Sequence, residues 1–201
     1  MGAPLGNLRA VVKAVDVLRD DFGFGLARRR VTVSTSGLVP QLKKFGEESN
    51  AALAVSLHAP NDALRDVLVP INRRHPIAEL LDACWEYART ANLQDVTFEY
   101  VMLAGVNDSE AQARELAGLL VNRPAKVNLI PFNGFTGSPY RRSSRPVVDR
   151  FRQILLDAGI ITVTRKTRGD DIAAACGQLA GKVRNRVLSP LGEKTAQGSL
   201  Q

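Results

Sequence analysis

The 201 residues carry 27 Lys and Arg against 20 Asp and Glu, a formal net charge of +7, with 45% hydrophobic and 23% charged residues. That composition excludes a disordered or fibrous chain and allows one domain with a substantial core. Two cysteines, Cys84 and Cys176, exclude a disulfide framework and the clustered Cys/His spacing of a zinc site. No run of about 18 apolar residues reads as a membrane span, and no basic stretch followed by an apolar core reads as a signal peptide, so a cytoplasmic protein is expected.

In chain order, Leu8, Val11, Val12, Val15 and Leu18 recur at helical spacing, and "RVTVST" at 30–35 reads as a strand ending at Gly37. A short helix "PQLKKFG" precedes the strand "ALAVSLHA" at 52–59, and Pro76 opens a helix with the apolar stripe Ile77, Leu80, Leu81, Cys84 and Ala88. Cys84 lies on that stripe and is read as a core residue. "DVTFEYVML" at 95–103 is a strand, and Ser109 starts a helix with Gln112 placed for a capping box. "KVNLIPFN" is the next strand, followed by a Gly/Pro/Ser loop at 134–146, the helix "VVDRFRQILLDAG" and the strand "IITVTRK". Residues 187–201 show no periodicity and read as a disordered tail.

About five strands alternating with helices predict βαβ units and a parallel sheet. Chemistry in such sheets gathers where strands end. Ser34, Thr35 and Ser36 close the first strand, Ser56 and His58 close the second and, two apart, should share a face, and Asn133 closes "NLIPFN". These residues suit a polar small-molecule site. Each also has a plainer reading: Ser34 to Ser36 as hydroxyl caps for the next helix, His58 as a loop histidine, and Asn133 with Gly134 as a turn pair. Glu99 and Asn107 are read as strand and turn residues. The clusters Arg28, Arg29, Arg30, then Arg141, Arg142, Arg145, then Arg165, Lys166, Arg168 suit phosphate contacts or a solvated surface.

Five motifs in order, "VTVSTSGLVP", "LAVSLHAPND" with the following "LVPINRRHPI", "FEYVMLAGVND", "KVNLIPFN" and "RKTRGDDIAAACGQLAG", resemble the RlmN family over residues 1–186. These are radical S-adenosylmethionine methyltransferases that act on carbon 2 of an adenine in 23S rRNA and in tRNA. The resemblance implies a partial (β/α) barrel of radical SAM type with a parallel sheet, a 4Fe-4S cluster, an electron donor to reduce it, and RNA as partner. It matches Cys176 to the cysteine that first takes a methyl group from S-adenosylmethionine, a displacement suited to a thiolate. In the family's second step a deoxyadenosyl radical takes hydrogen from that methylated cysteine, and the resulting carbon radical adds to the base. The cofactor site matches Gly2, Ala3, Ser34, Ser56, Leu57, His58 and Asn133.

Three departures accompany the match. The three-cysteine motif that ligates the family's cluster is absent, as is the resolving cysteine, and Ala3 stands where the family places an acid for the cofactor's amino group. A C-terminal fragment lacking the N-terminal strand and the cluster loop is therefore expected. A noncatalytic RNA-binding remnant, or the related carbon-8 adenine methyltransferase, are the alternative readings.

Overall fold

The computed structural model describes residues 4–135 and 137–165. Gly2, Ala3, Cys176, Lys166, Arg168 and the expected tail at 187–201 lie outside these. A 3-10 turn at Pro4–Asn7 leads into α1 (Leu8–Arg19), then β1 (Thr32–Thr35), α2 (Val39–Glu48), β2 (Ala52–Ser56), α3 (Asp62–Leu68) and α4 (Ile77–Thr90). The chain continues through β3 (Val96–Met102), α5 (Glu110–Leu120), β4 (Ala125–Pro131), α6 (Arg145–Asp157) and β5 (Ile161–Thr164). Among the described residues, no helix is long and apolar enough to cross a membrane.

The five strands form one sheet in the order β1-β2-β3-β4-β5, every pair parallel. Sequential parallel neighbours joined by right-handed crossovers place all the connecting helices on the same face. The side-chain period of two then sorts each strand. Val33, Leu53, Val55, Phe98, Tyr100, Val127 and Leu129 are buried in one core with Leu42, Phe45, Leu80, Leu116 and Phe151 from the helices. Each such side chain contributes about 1.5–3 kcal/mol of burial. Ser34, Ser56, Thr97, Glu99 and Asn128, at the alternate positions, are only half-buried. The sheet therefore has a covered apolar face and an open polar one.

Cys84 is fully buried in that core, as the α4 stripe predicts, and burial pushes its thiol up to about 12. Ser109 and Gln112 form the expected capping box at α5. Several boundaries shift from the sequence reading, and two of the shifts have a visible local cause. β2 stops at Ser56 rather than Ala59, because the Leu57 and His58 amides both turn to the Glu99 carbonyl, at 3.0 and 3.3 Å. α6 begins at Arg145 instead of Val147, since Pro146 lies in its first turn, where a missing N–H costs nothing.

The sequence reading has no counterpart for α3. Its seven residues are too few to show a helical period, and its central Arg65 is fully buried. Arg65 donates from Nε to the Leu57 carbonyl at 3.1 Å, and from Nη2 to the carbonyls of Ser36 at 2.8 Å and Ser56 at 3.0 Å. Nη1 reaches Asn72 Oδ1 at 2.8 Å, and Asn72 Nδ2 donates in turn to Asp62 and Asp66, at 2.8 and 2.7 Å. Burial lowers the Arg65 pKa to about 10 against the opposing pull of Asp62, Cys84 and Asp66, so it stays a cation at neutral pH.

Replacing Arg65 with methionine keeps the length and apolar stem but strips three buried carbonyls of their donor. The expected loss is about 3 kcal/mol or more, read as a shift in the urea midpoint. A loss below about 1 kcal/mol would mean that water satisfies these carbonyls as well as the guanidinium does.

Candidate functional site at the strand ends

The open face is organised by strand register. Ser56 pairs with Glu99 and Glu99 with Asn128, so a hydroxyl, a carboxylate and an amide stand side by side across three strands. With neighbouring strands about 4.8 Å apart, that row spans roughly 10 Å. Ser34 pairs with Ala54 and Ala54 with Thr97 one step nearer the strand starts. Among the described residues, no hydrogen bond or ion pair engages the Glu99 carboxylate or the Asn128 amide, leaving both available to a ligand.

The structure places the other expected residues differently from one another. His58 follows the end of β2 with φ +60°, so strand alternation does not extend to it and it does not share a face with Ser56 as a strand residue would. Its Nδ1 accepts the Val101 amide at 3.2 Å, and its carbonyl accepts Asn107 Nδ2 at 2.8 Å. A backbone N–H can only donate, so Nδ1 is unprotonated and the neutral ring carries its proton on Nε2. Leu57 is fully buried, and its amide and carbonyl are taken by Glu99 and Arg65. Asn133 lies two residues past β4, half-buried, in the loop that carries the Phe132, Phe135 and Tyr140 rings.

The helix-cap reading of Ser34 to Ser36 is not what the structure shows. The N-cap of α2 is Leu38, which makes no side-chain cap, and the hydroxyl that is used, Thr35 Oγ1, accepts the Gly37 amide at 3.1 Å. Ser34 and Ser36 remain half-exposed. Asn107 is a turn residue, as expected, but a fully buried one. Its amide bonds the His58 and Val101 carbonyls and the Leu103 amide, and its own carbonyl accepts Tyr100 Oη at 2.8 Å.

Glu99 and Asn128 are the polar residues that sequence reasoning passed over. The available signal was a polar side chain at an alternate position inside two otherwise apolar strands, "FEYVML" and "KVNLIP". Two serines, a carboxylate and an amide on one open face offer acceptors and donors to a ligand rich in hydroxyl and amino groups. An iron-sulfur cluster does not fit these residues. Cys84, the cysteine among the described residues, is buried with a raised pKa, and no group of three or more His, Cys, Asp or Glu there could hold a metal.

Comparison with known proteins gives a family and a fold. The model of the radical SAM superfamily matches residues 1–117. A crystal structure of a radical SAM methyltransferase from Sphaerobacter thermophilus is similar at 50% identity and a TM-score of 0.82, over 89% of this chain. The chain spans 52% of that structure's length. A domain of pyruvate-formate lyase-activating enzyme from Bacteroides vulgatus ATCC 8482 is 19% identical with a TM-score of 0.62, covering 83% of this chain and 96% of that one, and shows the shared fold. The all-parallel five-stranded sheet is thus a partial barrel of radical SAM type.

His58 gives the site a pH dependence. Burial first, and the Arg65 cation second, lower its pKa from 6.5 to about 4. The unfolded chain therefore binds a proton that the folded chain refuses, and the stability held above pH 6.5 drains away as pH falls towards 4. His58→Asn keeps a residue suited to positive φ but does not titrate. Between pH 7 and pH 4.5 the wild type is expected to lose about 2 kcal/mol more than the variant, measured by urea unfolding; equal losses would show that His58 is solvated.

Proposed function

Since the chain belongs to the radical SAM superfamily, we propose that it is the cofactor-binding and methyl-carrying part of a methyltransferase acting on carbon 2 of adenine in 23S rRNA and tRNA. The observation that carries this reading is the 50% identity to a radical SAM methyltransferase over 89% of the chain. The open row of Ser56, Glu99 and Asn128, with Ser34 nearby, supports it as the floor of a cofactor site.

Cys176 is the methyl carrier in this reading. Its thiolate attacks the sulfonium methyl of S-adenosylmethionine, the S–CH3 bond of the cofactor breaks, and S-adenosylhomocysteine leaves with the electron pair. Cys84 is no rival for the role, because its thiol is buried and held protonated. The superfamily's cluster supplies a radical when bound, but its ligands are not among the two cysteines of this sequence. The work we assign to these residues is therefore cofactor binding and methyl capture.

Incubation of the chain with S-adenosylmethionine labelled in its methyl group, followed by digestion and mass spectrometry, is expected to place one methyl on Cys176 and none on Cys84. Cys176→Ala is expected to abolish the label while leaving the urea midpoint within about 0.5 kcal/mol, as for a residue whose role is chemical rather than one of packing. Label on both cysteines, or on neither, would overturn the carrier role. Ala3→Glu, which supplies an acid for the cofactor's amino group, is expected to tighten S-adenosylmethionine binding by about tenfold in equilibrium dialysis. Deleting the gene in its source organism should remove 2-methyladenosine from 23S rRNA and tRNA digests. Loss of 8-methyladenosine instead would assign carbon 8, and no change would favour a noncatalytic RNA-binding role.

A further inference from the structure

Away from the open face, a cavity of about 1010 Å³ lies where β5 ends against the start of α6. Arg142, Arg145, Arg152 and Arg165 line it, with Ser144 and Thr164 between them. The acid in its wall is Asp149, which pairs with Arg145 at 3.6 Å at the exposed rim. Arg145 is balanced by Asp149, and Arg152 and Arg165 have no carboxylate partner among the described residues, so the cavity carries a net positive charge drawn from two turns of α6 and the end of β5.

Three further observations specify the kind of ligand. Ser144 caps α6 without a side-chain hydrogen bond, and the first turn of this 13-residue helix contains no acid, so its amides present an uncompensated positive end beside the arginines. The Thr164 hydroxyl is buried and has no hydrogen-bond partner among the described residues. The arginine-bearing segment is also fixed in place: Leu103 bridges Arg142, the Ala104 amide donates to the Arg141 carbonyl at 2.8 Å, and Ser143 Oγ donates to Asp108 at 2.7 Å. Arg152 is held from the other side, its Nε donating to the Thr162 carbonyl at 3.2 Å. A cationic cavity with a helix N-terminus and a hydroxyl beside its guanidinium groups has donors enough for the four oxygens of a phosphate group.

We propose that this cavity binds phosphate, and that the phosphate belongs to an RNA backbone. The phosphate chemistry follows from the cavity alone; RNA as its source rests on the function proposed above. The β4–α6 loop strengthens that choice. It carries Phe132, Phe135 and Tyr140 between the end of β4 and the arginines, with Phe135 46% exposed, so an aromatic surface for base stacking adjoins the phosphate donors in the chain.

The test measures binding of the full chain to a labelled single-stranded RNA of about 20 nucleotides across a salt series. The cavity triple Arg145→Gln, Arg152→Gln, Arg165→Gln is compared with a control, Arg9→Gln, Arg73→Gln, Arg89→Gln, which removes the same charge from exposed positions elsewhere. The cavity triple is expected to weaken binding by about 30-fold at 0.1 M salt and to flatten the salt slope by about 2, with the control within about threefold of wild type. Urea midpoints of all three proteins separate binding from folding, and Arg145→Gln with Arg165→Gln serves if the triple is unstable. Equal losses in cavity and control variants overturn the cavity while leaving RNA as substrate. Inorganic phosphate binding that the triple abolishes, with no RNA binding by the wild type, overturns RNA as the source and with it the proposed substrate.

Discussion

The buried guanidinium of Arg65 holds the ends of β1 and β2 together, and the geometry of the open face depends on it. Where a parallel strand stops, its last carbonyls lose their ladder partners and need donors from elsewhere. The Ser36, Ser56 and Leu57 carbonyls all meet at one side chain, whose planar fork offers five donors in a fixed arrangement. A lysine in this position would bring three donors radiating from one atom and a larger desolvation cost. Among the described residues no carboxylate pairs directly with the guanidinium; Asn72 relays between it and Asp62 and Asp66, so the charge is balanced at one remove. The same Asp62 accepts the first amide of α4 at 2.8 Å, which ties the arginine network to the 14-residue helix of the core.

With those ends fixed, the asymmetry of the sheet determines where chemistry can occur. Right-handed crossovers commit the connecting helices to one face, so among the described residues the alternate positions of each strand have no connecting helix to pack against. Evolution of an isolated sheet would fill such a face with solvated charges, yet here it carries half-buried Ser34, Ser56, Thr97, Glu99 and Asn128. Among the described residues no donor or cation engages the Glu99 carboxylate, which leaves it available to accept from a ligand. That availability is the physical argument for reading the face as a binding surface, and it is independent of any family likeness.

The sequence displayed the fold well because its strands are short runs of β-branched residues and its helices carry clean apolar stripes. β3, the α5 capping box and the core position of Cys84 could all be read from local pattern. What it concealed were features set by tertiary context. Arg65 sits in a helix too short for a period, and nothing local distinguishes a buried arginine from a solvated one. Strand alternation at Ser56 suggests a shared face with His58, but the chain turns there to place two amides on the Glu99 carbonyl. Glu99 looked like an unremarkable strand residue, because its meaning comes from cross-strand register with Ser56 and Asn128, a relation between segments more than 25 residues apart.

A single turn connects the two surfaces. The segment from Leu103 to Ser109 follows β3, and its Asn107 is buried with both amide protons on the His58 and Val101 carbonyls and its Oδ1 on the Leu103 amide. In that same turn, Ala104 and Asp108 fasten the Arg141 carbonyl and the Ser143 hydroxyl, and Asp108 also accepts the Gly105 amide at 2.9 Å, closing the turn on itself. The strand end that carries His58 and the loop end that carries Arg142 are thus both hydrogen-bonded to one short, internally satisfied unit. In the proposed reading, a hydrogen-bonded joint of this kind would fix the distance between a cofactor on the open face and a phosphate at α6, and a fixed distance is what transfer to one particular base of a long polymer requires.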